Sequence, residues 1–511
     1  MGYPFRQAAA LITAVAALLP MGVAASAAAS PSLKVTTLGR DGAVVATTVT
    51  LVHMSSHAQY RVASGTAKVL PSGRYAALVD IWNSRDSTDT VAATIVSVTA
   101  PKAITIDARA GVSLKVRLDD NPDAAFTQQL SGQVCVNGTG MGAGGWNRPG
   151  SFFVIPNTSS ELRFAYMSTW RRWDDSEAYV VNGEAVGLPR YGIMKFRSSL
   201  ATVTAQVRKG PSGAAYNTLA VQPEQSNGVG CADSLYTGLV NAAPPYTVKA
   251  HITPGTWLVR SESGIDFWWD RRTFTTGQQV TDVFNRAAWG PAQIVPAIAG
   301  KNVIFSGERM FTDWYQLGAQ ASVKTVSTLS LNGTTVATRT STSWGDDNPQ
   351  QSFPVATAGW YTLTSTATRY NPNVTYPADL LSPKATTSFR FYAKPGMSTI
   401  APVLLTRFRP DGLDMSNRAA PSSTTAIPLF FDRQRWLSDL AYPTATAKTV
   451  TAWASSDDGA TWQAVPVTNS SGKWSISVTN PASGYVSLRA QVADGAGNIG
   501  TTTIHRAYAI G

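Results

Sequence analysis

The chain has 511 residues, of which 42 are Lys or Arg and 31 are Asp or Glu, giving a formal net charge of +11. That charge is spread along the chain with no basic run, which argues against a nucleic-acid binder and leaves a diffuse attraction to anionic polymers as the most it implies. The length exceeds what one hydrophobic core organises and predicts three to five domains of about 100–150 residues each.

The first thirty residues read as a leader. Arg6 supplies a positive start, Ala8 to Leu19 form an apolar run, and Val23-Ala24-Ala25, Ala25-Ser26-Ala27 and Ala27-Ala28-Ala29 offer small residues for cleavage. An N-terminal membrane anchor is the alternative, but the run is short for a span. A secreted, extracellular protein without a membrane anchor after cleavage is therefore expected.

Residues 31–118 form the first predicted unit. Lys34 to Leu38 and Ala43 to Met54 flank the turn Gly39-Arg40-Asp41-Gly42, and Ala76 to Trp82 is apolar on both faces, as a buried strand is. Val91 to Val98 and Ala103 to Asp107 complete it. His53 and His57, read as one strand, would sit about 13 Å apart, too far to share a metal. Asp119 to Asp123 reads as a linker, because Asp, Asn and Pro favour turns.

Residues 119–292 form the second unit. Glu161 to Met167, Leu200 to Val207, Tyr246 to Ile252 and Thr256 to Ser261 are predicted strands, Gly138 to Gly150 a flexible glycine-rich loop, and Val280 to Ala288 at most a short helix. Both cysteines, Cys135 and Cys231, lie here. In an oxidising compartment a structural disulfide is expected, with free thiols as the alternative; no Cys-x-x-Cys supports a redox or metal reading.

Residues 293–395 hold the hairpin Thr328 to Ala337, whose Asn332-Gly333 pair favours a type I′ turn. Residues 396–511 end in the clearest pattern of the chain. Trp474, Ile476 and Val478, then Val486, Leu488, Ala490 and Val492, alternate with polar residues, which sends them to one face of a sheet. The fold class expected throughout is all-β, with antiparallel β-sandwich domains in tandem.

Several segments together resemble known modules. Pro71-Ser-Gly-Arg-Tyr75 before a core strand resembles the prealbumin-like modules appended to secreted enzymes. Val283 to Pro291, Leu329 to Val336, Ala358 to Tyr361, Thr387 to Arg390, Pro410 to Arg418, Ser455 to Trp462, Asn480 to Arg489 and Arg506 to Tyr508 resemble the long C-terminal extension of large secreted subtilisin-like serine proteases of actinobacteria. The resemblance implies prealbumin-like and immunoglobulin- or fibronectin-like accessory modules. The protease's own motifs are missing: no His is followed by Gly, and Ser398 in Pro395 to Pro402 lacks the Thr before a Ser-Met pair and reads as a linker serine.

Two clusters remain as binding candidates: Trp170, Arg171, Trp173 and Asp174, and Asp266, Trp268, Trp269, Asp270 and Arg271. Indole faces stack on sugar or peptide surfaces while Arg and Asp fix orientation. The competing reading is a buried Trp with a stacked Arg paired to Asp. Phe311 to Tyr315 and Ser343 to Asp347 are lesser versions. Ser455-x-Asp457-x-Gly459-x-Thr461-Trp462 follows the Asp-box pattern and reads as a structural turn.

No cofactor is expected. The carboxylates at Asp119 to Asp123, Asp346-Asp347, Asp411 with Asp414, and Asp457-Asp458 lack a calcium ladder, which leaves structural Ca²⁺ as the weaker alternative. The sequence favours a non-enzymatic module that binds an extracellular glycan or protein, a secreted protease among the candidates. A hydrolase using Asp174 and Asp266 near the Trp residues is the second hypothesis.

Overall fold

A computed structural model of the chain describes residues 29–136, 142–211, 216–224, 231–262, 266–307, 309–313, 318–343, 350–433 and 440–511. Of the thirty residues expected as a leader, 1–28 lie outside these residues. The described residues form strands joined by turns, with three short 3-10 segments and no α-helix. The protein is all-β, built of β-sandwiches in tandem.

The N-terminal half is a stack of four sheets. A three-stranded sheet carrying Ser32–Leu38 and Lys102–Asp107 covers a six-stranded sheet built on Thr48–His53, Gly73–Asn83 and Thr88–Val98. Leu33, Val35 and Ile106 meet Leu51, Tyr75 and Val79 between them. The other face of the six-stranded sheet packs on a seven-stranded sheet, where Ala76, Leu78 and Val91 meet Leu130, Phe164 and Val181. The seven-stranded sheet in turn covers a five-stranded one, through Met167, Val180 and Val203 against Leu219, Trp257 and Val259.

Period two explains how two inner sheets bury both faces. In Gly73–Asn83, Tyr75, Ala77, Val79 and Ile81 point one way, and Ala76 and Leu78 the other. Each large side chain removed from water contributes about 1.5–3 kcal/mol, so a strand apolar on both sides is the natural filling of such a stack.

Units adjacent in sequence share sheets. Phe152–Val154, from the second stretch, pairs parallel with Thr88–Val98 of the first. Val116–Leu118 pairs with Ile193–Lys195. The turn at Asp119 is tied into the structure: Asn121 accepts from the Leu118 N–H at 2.9 Å, Asp119 accepts from the Arg197 N–H at 2.8 Å, and Asp120 pairs with Arg197 at 3.0 Å. Parallel pairs also join Glu177–Val186 to Tyr246–Ile252 and Ala201–Val207 to Gln279–Phe284.

The C-terminal half is organised by one nine-stranded sheet. Lys384–Ala393 pairs with Ile499–Ile510, from Ala385 opposite Ile504 to Arg390 opposite Ile499, so the sheet runs unbroken between the two C-terminal stretches. Two four-stranded sheets cover it, and a single core extends from Ala287 to Ile510. Asn332 and Gly333 both hold positive φ, 49° and 88°, as a type I′ turn requires.

Four local expectations are corrected. Gly142–Asn147, expected as loop, is a strand paired with Phe126–Val136; residues 137–141 lie outside the described ones. Gln279–Phe284 is a strand rather than a helix, because it pairs along its length with Ala201–Val207. Ser398 lies on the strand Met397–Ile400 rather than in a linker. The chain turns after His53, and His57, at φ 58°, donates its N–H back to the His53 carbonyl, so the two histidines do not share a strand.

Candidate functional site

The first aromatic cluster lies on the hairpin of Leu162–Arg172 and Glu177–Val186. Trp170 occupies an even position of its strand, in line with Phe164 and Tyr166, and turns into the core at 5% exposure. Trp173 is past the end of the strand. Its N–H donates to the Ala125 carbonyl at 3.0 Å, which pins the backbone while the indole stands 78% exposed.

Two ion pairs brace this tip. Arg171 pairs with Asp175 at 2.9 Å and Arg172 with Asp174 at 3.5 Å. Asp174 also accepts from the Ser176 hydroxyl at 2.7 Å and the Ser176 N–H at 3.1 Å, and these bonds hold its carboxyl below the usual range. Asp175 turns the chain at φ 57°.

The second cluster lies on Asp266–Phe274 in the five-stranded sheet, between Gly255–Glu262 and Gly318–Ala321. The side chains of Asp266, Trp268 and Asp270 lie outside what is described. Trp269 is half-buried, and Arg271 makes a two-pronged contact with Glu224, lowering the Glu224 pKa. The two clusters therefore belong to different sheets. Of the lesser clusters, Phe311 is buried, whereas Trp314, Tyr315 and residues 344–347 lie outside the described residues.

Beside the Trp173 tip is a polar constellation that sequence reading missed. His251 Nε2 lies 2.9 Å from Glu177 Oε1, and His251 Nδ1 lies 3.2 Å from the Thr202 hydroxyl. Tyr179 donates its hydroxyl to the same Glu177 oxygen at 3.1 Å and stacks its ring on the imidazole, 4.4 Å between centroids. With Glu177 ionised, the pairing assigns the proton to Nε2 and leaves Nδ1 to accept from Thr202. Burial is the main influence on His251 and lowers its pKa, so the ring is neutral at physiological pH. His251, Thr202, Thr204, Lys249, Gln279 and Thr281 line a shallow cavity of about 440 Å³.

Glu177, Tyr179, His251 and Thr202 come from three neighbouring strands and are separated by up to 74 positions. No local motif joins them. The one available signal was strand alternation in Tyr246–Ile252, which puts His251 and Lys249 on the same face.

A second polar pair, half-buried Asp80 and buried Asp89, sits on adjacent strands of the six-stranded sheet. The Trp146 N–H donates to Asp89 Oδ2 at 2.8 Å. Burial raises both carboxyls, and contact with Asp89 adds to the rise at Asp80, to about 9. With its pKa raised so far, Asp80 keeps its proton near neutral pH, and that proton lies against Asp89.

Among the described residues, no group of three or more His, Cys, Asp or Glu side chains could hold a metal ion. Asp346 and Asp347 lie outside those residues. Cys135 and Cys231 are joined in a disulfide, with Cα atoms 5.7 Å apart. In the turn near the C-terminus, Asp457 accepts from the Thr461 N–H and hydroxyl and the Ser455 hydroxyl, and Trp462 Nε1 donates to the Gly459 carbonyl. These bonds lower the Asp457 pKa to about 2. No helix among the described residues is long and apolar enough to cross a membrane.

No family model matches the chain. No curated protein matches it. Among solved structures, Sidekick-1 immunoglobulin domains 1-5 is 8% identical, over 94% of this chain and 97% of that one, with a TM-score of 0.11. Sidekick-1 immunoglobulin domains 1-4, in crystal form 1, is 9% identical over 77% of this chain and 96% of that one, with a TM-score of 0.12. TM-scores this low carry no argument, and the account of the fold rests on the strands and sheets themselves.

Proposed function

We propose that the protein is an extracellular, non-enzymatic binding or accessory module of the kind appended to secreted subtilisin-like proteases, with a glycan or protein as its ligand. The observation that carries this reading is the Trp173 tip. The residue is 78% exposed, and its backbone and flanking arginines are held in place by ion pairs and hydrogen bonds, which lowers the ordering cost of stacking the indole on a ligand. The open ledge of Thr202, Lys249 and His251 beside it supplies donors and acceptors. Pull-down of secreted proteins and cell-wall material tests the reading. Trp173→Ala should weaken retention by about tenfold, since exposed aromatic anchors dominate such contacts. Retention equal to the parent would sink it.

A second reading, hydrolysis, is favoured by the order Thr202, His251, Glu177. A hydroxyl within reach of an imidazole, itself oriented by a carboxylate, is the arrangement that activates nucleophiles. Turnover of a panel of chromogenic esters and glycosides, abolished in both His251→Ala and Thr202→Ala, would establish it. Asp174 and Asp266, which lie on different sheets, receive no such support.

A further inference from the structure

The geometry points to a second binding site, separate from the Trp173 tip: a groove for an uncharged glycan strand, clamped between Trp146 and Tyr236. The groove, of about 560 Å³, lies where the strands Phe126–Val136 and Gly142–Asn147 meet the turn that precedes Thr237–Ala242. Its rims are two large exposed rings. Trp146 is 67% exposed and Tyr236 is 42% exposed.

The floor is built so that a ligand can approach the sheet closely. Gly144 and Gly238 line it, so no side chain rises between the two rings there, while Gly132 and Gly145 turn to the opposite side of the sheet, where a Cβ would meet Phe164 and Asp89. Gln129, Ser131 and Gln133 supply amide and hydroxyl groups, each able both to donate and to accept. Sugar hydroxyls need that dual capacity, and pyranose C–H faces suit an indole or phenol ring.

Charge identifies the ligand class. Not one residue lining the groove is ionisable near neutral pH, although the chain carries 42 Lys and Arg residues. Arg260 stands 5.6 Å from the centroid of the Tyr236 ring but bonds Gln222 outside the groove lining, and a charged peptide laid along the lining would bury its charges unpaired. A neutral polyhydroxylated chain avoids that cost.

Both rims are held before any ligand arrives. The Trp146 N–H is bound to Asp89 across the sheet interface at 2.8 Å. On the other side, the disulfide from Cys135 ties Cys231 to the floor strand, four residues before Leu235. Thr237 bonds the buried Thr169 hydroxyl at 3.0 Å, so Tyr236 lies between two anchors. A backbone fixed beneath both rings in this way lowers the ordering cost of binding.

The test titrates the full chain with three soluble hexasaccharides, of β-1,4-glucose, β-1,3-glucose and β-1,4-N-acetylglucosamine, and in parallel with unfolded casein. Calorimetry or tryptophan fluorescence reports binding. At least one hexasaccharide should bind, and Trp146→Ala and Tyr236→Ala should each weaken it by about tenfold or more. Both rings are exposed, so circular dichroism of the two variants should match the parent. No hexasaccharide binding below about 5 mM, where affinity falls to background levels, overturns the inference. So does binding that both variants retain, binding that Trp173→Ala removes, or casein as the sole ligand lost in Trp146→Ala.

Discussion

Asn417 donates through Nδ2 to the main-chain carbonyl of Asn285, 132 residues earlier, at 2.9 Å. Both asparagines hold left-handed backbone conformations, φ 60° and 57°, and both are fully buried. Asn417 also donates to the Lys209 carbonyl at 2.9 Å, and its Oδ1 accepts from the Ala287 N–H at 3.1 Å. One amide thus joins the stacked N-terminal sheets to the C-terminal core.

Replacing that amide should uncouple the two halves. Asn417→Ala leaves two carbonyls and one N–H buried without partners and puts a Cβ residue that lacks Asn's tolerance at positive φ. The expected loss is about 3 kcal/mol. Asn417→Gly relieves the backbone strain and should recover about 1 kcal/mol of it. Calorimetry checks this: each variant should show a lower first transition, and the alanine variant should separate two transitions that the parent merges. A single unshifted transition would contradict the role.

The disulfide has a simpler consequence. It closes a loop of 96 residues between Cys135 and Cys231. In the chain-entropy model, cross-linking a loop near that length stabilises by about 4–5 kcal/mol. A Cys135→Ser, Cys231→Ser double variant should unfold at lower urea concentration by that margin. Because Cys231 anchors the turn before Tyr236, the variant should also lose protection from hydrogen exchange first around Leu235–Gly238.

Much of the fold was legible because period two is a local signal. Val486, Leu488, Ala490 and Val492 are buried as their alternation requires, and the stretch within Gly73–Asn83 that is apolar on both faces is the middle of a sheet stack. Partner choice was not legible. Nothing in Lys384–Ala393 announces that its neighbour is Ile499–Ile510, more than a hundred residues on. Gly142–Asn147 was misread for a related reason. Its glycines mark close approach rather than looseness, since a Cβ on Gly145 would lie 2.3 Å from Asp89 Oδ2. The pattern Trp-Arg-Arg-Trp falls at the end of the strand Leu162–Arg172, and the parity that sends Trp170 inward and leaves Trp173 outside depends on where that strand ends. The Glu177–His251–Thr202 chain is a cross-strand relationship that no window of sequence contains.

Close approach also governs Gly500. A Cβ there would stand 1.8 Å from the Leu404 carbonyl oxygen, where the strand Leu405–Phe408 crosses the nine-stranded sheet. The obstacle is backbone and cannot rotate away. Gly500→Ala should therefore cost about 3 kcal/mol by forcing the sheets apart. Gly192→Ala, whose nearest neighbour would be at 3.4 Å, is the control and should change stability by less than about 0.5 kcal/mol. Urea denaturation of the pair checks the contrast, and equal midpoints would refute it.

The proton that Asp80 holds against Asp89 makes stability depend on pH in an unusual direction. Burial raises both folded pKa values, and contact with Asp89 adds to the rise at Asp80, to about 9, against about 3.9 in the unfolded chain. The native state therefore keeps a proton that the unfolded state releases. The pair's contribution is complete below about pH 4 and is lost progressively as the pH climbs towards 9. Asp80→Asn supplies a permanent donor to an ionised Asp89 and removes that dependence. Its melting temperature should exceed the parent's by roughly 3 °C or more at pH 9, with the gap narrowing steadily towards pH 5. Asp89→Asn should do worse than Asp80→Asn at every pH, because it also replaces the acceptor of the Trp146 N–H with a weaker one. A parent protein that gains stability from pH 5 to 9 relative to Asp80→Asn would show that the two carboxyls ionise independently.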